Sequence, residues 1–209
     1  MFFFYKLTFY FNSVKLKMLQ VSCHMYRRYS MKKDIFLVID MQNAYTSKGV
    51  WACEHFDLAK SNISKILESH KFDVIFTKFE APTNPIGTWN RYNSINKDVN
   101  ESVFENEIID EFKEYSVYSK STYSCLSNVD VLEKCKKANR VILSGVVAEC
   151  CVLSTALACI DEGIDIVYVK DAVAGVDLKS EEAALLVLQG LAYAQVKIVD
   201  TKTLLQEGI

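Results

Sequence analysis

Ile35–Phe36–Leu37–Val38–Ile39–Asp40 is an unbroken run of five apolar residues closed by a carboxylate. A strand with one wet face alternates apolar and polar residues, whereas an unbroken run suits a strand buried on both faces of a parallel sheet. Working outward, shorter versions of the same signal recur at Phe72–Phe76, Ser116–Ser119, Val141–Leu143, Ile164–Val169 and Val196–Val199. Helical patterns fill the gaps. Leu58, Ile63, Ile66 and Leu67 mark one apolar face, and Ile108, Ile109 and Phe112 mark a short helix. Three more helices are read at Val131–Lys137, Cys151–Ile160 and Ser180–Ala192. Strand–helix alternation with right-handed crossovers predicts an α/β fold of three layers, α/β/α, around a doubly wound, mostly parallel sheet. The exception is Phe79–Asn100, which holds both prolines and five asparagines. It is expected to be a long functional loop.

The chain has 209 residues, 50% hydrophobic and 24% charged, with 7 Gly and 2 Pro. That composition excludes collagen-like and low-complexity chains. A net charge of −2 offers no general field for nucleic acid. The charge is uneven, however. Residues 1–33 hold seven basic groups and no acid, while the rest carries 17 basic against 26 acidic groups. Nine of the 25 aromatics fall in residues 1–30. Lys6 splits the apolar opening, so no run reaches the roughly 18 residues of a membrane span. We expect residues 1–30 to be a basic, aromatic leader outside the working protein, as an unstructured tail or the product of an upstream start. Residues 31–209 are expected to be the single functional domain. Organelle targeting is the alternative for the leader.

Seven cysteines in odd number, with no CxxC spacing and no convincing secretory signal, suggest reduced thiols in a cytoplasmic protein. His55 and His70 share the first helix region with no Cys or His at ligand spacing, so they are expected to be solvated and no zinc site is expected.

Three places carry chemical promise. Asp40 ends the first strand, where ligands bind in open α/β sheets, although alone it would equally cap a turn. Lys120 lies at another strand end, in Tyr118–Ser119–Lys120–Ser121–Thr122–Tyr123. Ser144–Gly145–Val146–Val147–Ala148–Glu149–Cys150–Cys151 joins a strand to a helix. A cysteine in the first helical turn faces backbone N–H groups that lower a thiol pKa and donate to an oxyanion, although many such cysteines simply fill a core. A thiol, an ammonium and a carboxylate on three strand ends make a nucleophilic hydrolase site.

These residues resemble the isochorismatase-like cysteine hydrolases over about Asp34–Asp200. Three motifs occur in order: Val38–Ile39–Asp40–Met41–Gln42–Asn43, then Lys120–Ser121–Thr122–Tyr123–Ser124, then Gly145 to Ala156 with Gly163 after the helix. The resemblance selects Cys151 over Cys150 as nucleophile, Asp40 as proton acceptor, and Lys120 as the group that orients Asp40 and stabilises the thiolate. It also implies a cis peptide before the nucleophile, expected at Val147–Ala148, with the N–H groups of Ala148 and Cys151 facing the oxyanion. Gln42, Trp89, Arg91, Tyr92 and Tyr123 are the expected substrate-pocket residues, with Trp89 and Tyr92 as walls and Arg91 pairing a substrate carboxylate.

The chain departs from the family in two respects. Nicotinamidases of the family hold a metal with an Asp and two His after the second strand, whereas Thr77–Pro85 contains no histidine. No metal and no cofactor are therefore expected. Tyr45 stands where Phe is usual. The resulting expectation is hydrolysis of the C–N bond of a small amide, ureido or N-carbamoyl compound through a thioester, in a homodimer or homotetramer without nucleic-acid or membrane partners. Alternatives are vinyl-ether cleavage of the isochorismatase type, a non-catalytic binding protein, and thiol redox chemistry at Cys150–Cys151 with Cys159.

Overall fold

The computed structural model describes residues 33–206, so residues 1–30, expected to be a leader, lie outside the described residues. Among them, six parallel strands form one sheet: β1 (Ile35–Ile39), β2 (Asp73–Phe79), β3 (Val117–Lys120), β4 (Val141–Val146), β5 (Ile166–Ala174) and β6 (Val196–Val199). The order is β3-β2-β1-β4-β5-β6. The chain winds outward from β1 through β2 to β3, then returns to the other side of β1 and winds on to β6. The carboxyl ends of β1 and β4 thus flank the point where the winding reverses, the usual ligand crevice of such sheets.

The helices are α1 (Phe56–Glu68), α2 (Thr88–Ile95), α3 (Lys97–Glu101), α4 (Val103–Asn106), α5 (Val129–Lys137), α6 (Leu153–Asp161), α7 (Leu178–Gln189) and α8 (Thr201–Gln206). Alternate strand residues bury two cores. Phe36, Val38, Phe76 and Val167 pack with Phe56, Ala59, Ile63 and Ile66 of α1 on one face. Leu37, Ile39, Leu143 and Tyr168 pack with Val131, Ala156 and Leu188 on the other. Local signals start the helices. The Asn128 side chain accepts from the N–H groups of Asp130 and Val131 at the start of α5, and Lys134, Lys136 and Lys137 sit in its last turn against the helix dipole.

The structure adjusts several expectations. The sheet is wholly parallel. β4 continues three residues past Leu143, because Ser144 and Gly145 pair in register with Val38 and Ile39 despite lacking apolar bulk. Leu58 is exposed, and Phe56 and Ala59 face the core instead. The supposed long loop contains α2 and α3. Helix α2 has no fully buried residue, so hydrophobic periodicity gave no sign of it.

Candidate active site

Asp40, Lys120 and Cys151 converge from the ends of β1, β3 and the segment after β4. Lys120 Nζ lies 2.7 Å from Asp40 Oδ2, and both side chains are fully buried. The same ammonium donates to Cys151 Sγ at 3.3 Å and to the Thr122 carbonyl at 3.0 Å. Asp40 Oδ1 accepts from Thr77 Oγ1 at 3.0 Å, whereas Oδ2, although ion-paired, accepts no well-directed hydrogen bond among the described residues. Asp40 itself adopts a left-handed backbone, φ +52, which Asp tolerates better than most side chains. Its N–H is held by the Thr77 carbonyl at 3.0 Å.

Gly145 makes the approach to this corner feasible. It has φ +103, and a Cβ there would overlap the backbone of Ile39, the residue before Asp40. Beyond β4 the chain makes a single π-helical turn, Ala148–Val152, before α6 begins. Cys151 sits in that turn rather than in an α-helical first turn. The N–H groups of Cys150 and Val152 are both spent on the Val147 carbonyl, at 3.1 and 3.2 Å. The cis peptide is Val146–Val147, one residue earlier than expected. β4 runs through Val146, so the chain leaves the sheet at that bond and not at Val147–Ala148.

Electrostatics differ from the sequence expectation of an acidified thiol. Burial is the largest effect on Cys151 and pushes its thiol well up. The nearby Asp40 charge adds to this, and the Lys120 ammonium pulls the other way. Burial opposes charge on Lys120 too, but Asp40, Cys151 and Cys125 outweigh it and hold the ammonium above its ordinary value. Burial thus favours the protonated form of the Cys151 thiol, which lies beside the Asp40–Lys120 contact.

A family model described as the isochorismatase domain matches residues 34–202. The chain belongs to the isochorismatase-like hydrolase family. A search among curated proteins found no significant match. Solved structures share the fold at low identity. A cysteine hydrolase from Pseudomonas syringae pv. phaseolicola superposes with TM-score 0.70 at 17% identity, covering 83% of this chain and 91% of its own. An isochorismatase-like hydrolase from Alkaliphilus metalliredigens gives 0.66 at 18%, with coverage of 85% and 99%. The pyrazinamidase of Pyrococcus horikoshii, solved in complex with zinc, gives 0.62 at 21%, with coverage of 80% and 99%.

No group of three or more His, Cys, Asp or Glu among the described residues is arranged to hold an ion. The last residue of β2, Phe79, is aromatic. The Phe79 ring lies 5.3 Å from Lys120 Nζ and is stacked by Trp89 at 6.0 Å. Tyr92 meets the edges of Phe79 and Trp89 at 5.9 and 5.2 Å, and Tyr123 packs on Trp89 at 5.4 Å. Burial, then Tyr123 and Cys151, push the Tyr92 phenol up, so it keeps its proton beside the thiol.

Of the expected pocket residues, Trp89, Tyr92 and Tyr123 therefore form one aromatic group next to Lys120. Gln42 does not face a pocket. It is fully buried, donates to the carbonyls of Phe79 and Asn106 at 3.0 Å each, and accepts from Phe79 N–H at 2.8 Å. A side-chain amide with this many backbone partners ties the segment after β1 to β2 and α4. Arg91 is exposed and makes no ion pair among the described residues. Sequence reasoning missed Trp51, which packs against Tyr45, Phe79 and Tyr92. It also missed Phe79, Thr77 and Cys125. His55 is not freely solvated, since its Nδ1 meets Glu181 Oε2 at 2.9 Å. No helix among the described residues is long and apolar enough to cross a membrane.

Proposed function

We propose that this isochorismatase-like hydrolase cleaves the C–N bond of small amide, ureido or N-carbamoyl compounds through a Cys151 thioester. The carrying observation is the buried contact set Asp40 Oδ2–Lys120 Nζ–Cys151 Sγ, at 2.7 and 3.3 Å. As Sγ attacks the carbonyl carbon, its proton passes to Asp40 Oδ2, the carboxylate oxygen that shares the Lys120 ammonium with Sγ. The tetrahedral oxyanion meets N–H groups of the turn that carries the nucleophile, with Ala148 and Cys151 as donors in this reading. The C–N bond then breaks, Asp40 protonates the departing nitrogen, and a thioester remains on Cys151. Water, deprotonated by the same carboxylate, adds to the thioester and releases the acid and the thiol.

The aromatic group of Phe79, Trp89, Tyr92 and Tyr123 favours a flat or apolar acyl portion. In this reading Arg91 reaches a substrate carboxylate from the rim. The intact thiol beside Lys120 favours amide chemistry over vinyl-ether cleavage, which has no use for a nucleophile.

The test is an ammonia-release screen of amides, ureides and N-carbamoyl compounds, with Cys151→Ala beside the wild type. Turnover by the wild type, none by Cys151→Ala, and an acyl adduct on the Cys151 peptide by mass spectrometry are expected. A Cys151→Ala protein as active as the wild type would overturn the reading. A homodimer or homotetramer in the cytoplasm completes the proposal, and light scattering tests the assembly.

A further inference from the structure

We propose that Thr77 and Cys125 form a donor chain, Cys125 S–H to Thr77 O–H to Asp40 Oδ1, that fixes which carboxylate oxygen receives the nucleophile's proton. The inference rests on Asp40 acting as the base of a thiol hydrolase. Neither Thr77 nor Cys125 touches substrate in this scheme, so both are positioning residues.

A carboxylate turns about its last bond and exchanges its two oxygens unless something distinguishes them. Here they differ sharply. Oδ1 takes the Thr77 hydroxyl at 3.0 Å, and Oδ2 is ion-paired with Lys120 Nζ at 2.7 Å on the side that faces Cys151 through the shared ammonium. Thr77 is well placed to hold that distinction. It is fully buried in β2, in register with Ile39, and its carbonyl anchors the Asp40 N–H. Its side chain is β-branched, with few rotamers to exchange.

The direction of the chain follows from counting protons. The Thr77 hydroxyl has one hydrogen and two neighbours within reach, Asp40 Oδ1 at 3.0 Å and Cys125 Sγ at 3.3 Å. An ionised carboxylate is the stronger acceptor, so the hydroxyl donates to Asp40. Cys125 is then the donor to Thr77 Oγ1. It can fill that role, because burial pushes its thiol up to about 11 and it stays protonated at neutral pH. The same residue is also tied to the nucleophile. Cys125 N–H donates to Thr155 Oγ1 at 3.0 Å, and Thr155 Oγ1 donates to the Cys151 carbonyl at 2.7 Å. One fully buried residue thus sets the base through its side chain and the nucleophile's backbone through its N–H.

Two measurements on the full chain test the chain of donors. The first needs no substrate. The infrared S–H stretch of Cys125 is isolated as the difference between wild type and Cys125→Ala. It is expected at a hydrogen-bonded frequency in wild type, retained in Thr77→Ser, and moved to the free-thiol position in Thr77→Val. A band that Thr77→Val leaves in place would overturn the donor direction.

The second is the pH profile of turnover on the best substrate of the amide screen. Loss of a hydrogen bond to a charged group predicts that Thr77→Val lowers kcat about ten- to hundredfold with KM nearly unchanged. Its acid limb is expected to move up by about one pH unit, since a carboxylate deprived of a donor holds its proton more tightly. Thr77→Ser is expected to restore both. A Thr77→Val profile that loses amplitude without moving its limb would reduce Thr77 to a packing residue. A fully active Cys151→Ala protein would instead remove the thiol-hydrolase reading, and the infrared band would still decide the donor chain.

Discussion

Replacing Lys120 by methionine keeps most of the stem and deletes the ammonium. The cost follows from what that leaves behind. Asp40 and Lys120 are both fully buried and 2.7 Å apart. Without Lys120, the Asp40 carboxylate keeps one side-chain hydrogen bond, from Thr77 at 3.0 Å, in a site closed to water. Breaking a buried pair by removing one partner costs about 3–5 kcal/mol. At about 2–4 °C per kcal/mol for a protein of this size, the melting temperature should fall by roughly 6–20 °C. The loss has a signature in pH. A carboxyl left alone in a buried site resists ionisation, so in the folded variant it keeps its proton above the ordinary value of about 3.9. The folded variant then binds more protons than the unfolded chain, and its stability falls as pH rises. The gap to wild type should be small near pH 5 and widest near pH 8. The double variant Asp40→Asn/Lys120→Met has no buried charge to strand. It should recover to within about 1–2 kcal/mol of wild type and lose the pH-dependent gap. Urea unfolding of the four proteins at pH 5, 6.5 and 8 gives the full cycle. A Lys120→Met protein as stable as wild type at pH 8, or a double variant no better than the single one, would refute the reasoning.

Three further outcomes are expected. Gly145→Ala combines a positive φ with a Cβ that overlaps the Ile39 backbone, and urea unfolding should show a loss of about 2–4 kcal/mol. Trp89→Ala removes the ring that packs on Phe79, Tyr92 and Tyr123. Steady-state kinetics should show KM raised about tenfold and kcat changed much less. The hydrogen bond to Glu181 raises the His55 pKa, so its stabilisation is complete below about 6.5 and is lost as pH rises through the raised value. Its side chain is 37% exposed, and solvent screening keeps the effect under about 1 kcal/mol. His55→Asn should therefore unfold at lower urea than wild type at pH 5.5 and at the same urea at pH 9.

What was legible in the sequence depended on whether a residue's role is local. The run Ile35–Ile39 announced a doubly buried strand because each of its side chains enters a core. The end of β4 did not, since Ser144 and Gly145 belong to the sheet only through their backbone pairing with β1. Helix α2 was hidden for the same kind of reason: Trp89 and Tyr92 bury their rings against Phe79 and each other, not against a core stripe. The positions of Asp40, Lys120 and Cys151 were readable from strand ends and motif order. Their protonation was not, because burial, the largest influence on Cys151, appears only when three strand ends close around it. Gln42 carried a motif position that suggested substrate contact, yet its amide is consumed by backbone groups of Phe79 and Asn106. Thr77 and Cys125 carried no signal, since threonine and cysteine are ordinary strand and core residues and only their contacts set them apart.

A raised thiol pKa looks unfavourable for a nucleophile, but it follows from keeping a buried site neutral. Lys120 is the cation that both Asp40 and Cys151 contact, at 2.7 and 3.3 Å. With the thiol protonated, the charges of Asp40 and Lys120 cancel. A preformed thiolate beside an ionised Asp40 would leave a net negative charge away from water, at a cost of several kcal/mol. Under the thiol-hydrolase reading, the proton moves from Sγ to Oδ2 as the carbon–sulfur bond forms. The negative charge moves the other way, from the carboxylate through sulfur to the substrate oxygen. Lys120 stays within reach of both ends of that transfer, so the site need not reorganise or admit water to remain balanced. The fold makes this possible by its winding order. β1 and β4 are neighbours at the reversal point, β3 is two strands from β1 across β2, and the long Lys120 side chain reaches from that edge back to Asp40 and Cys151.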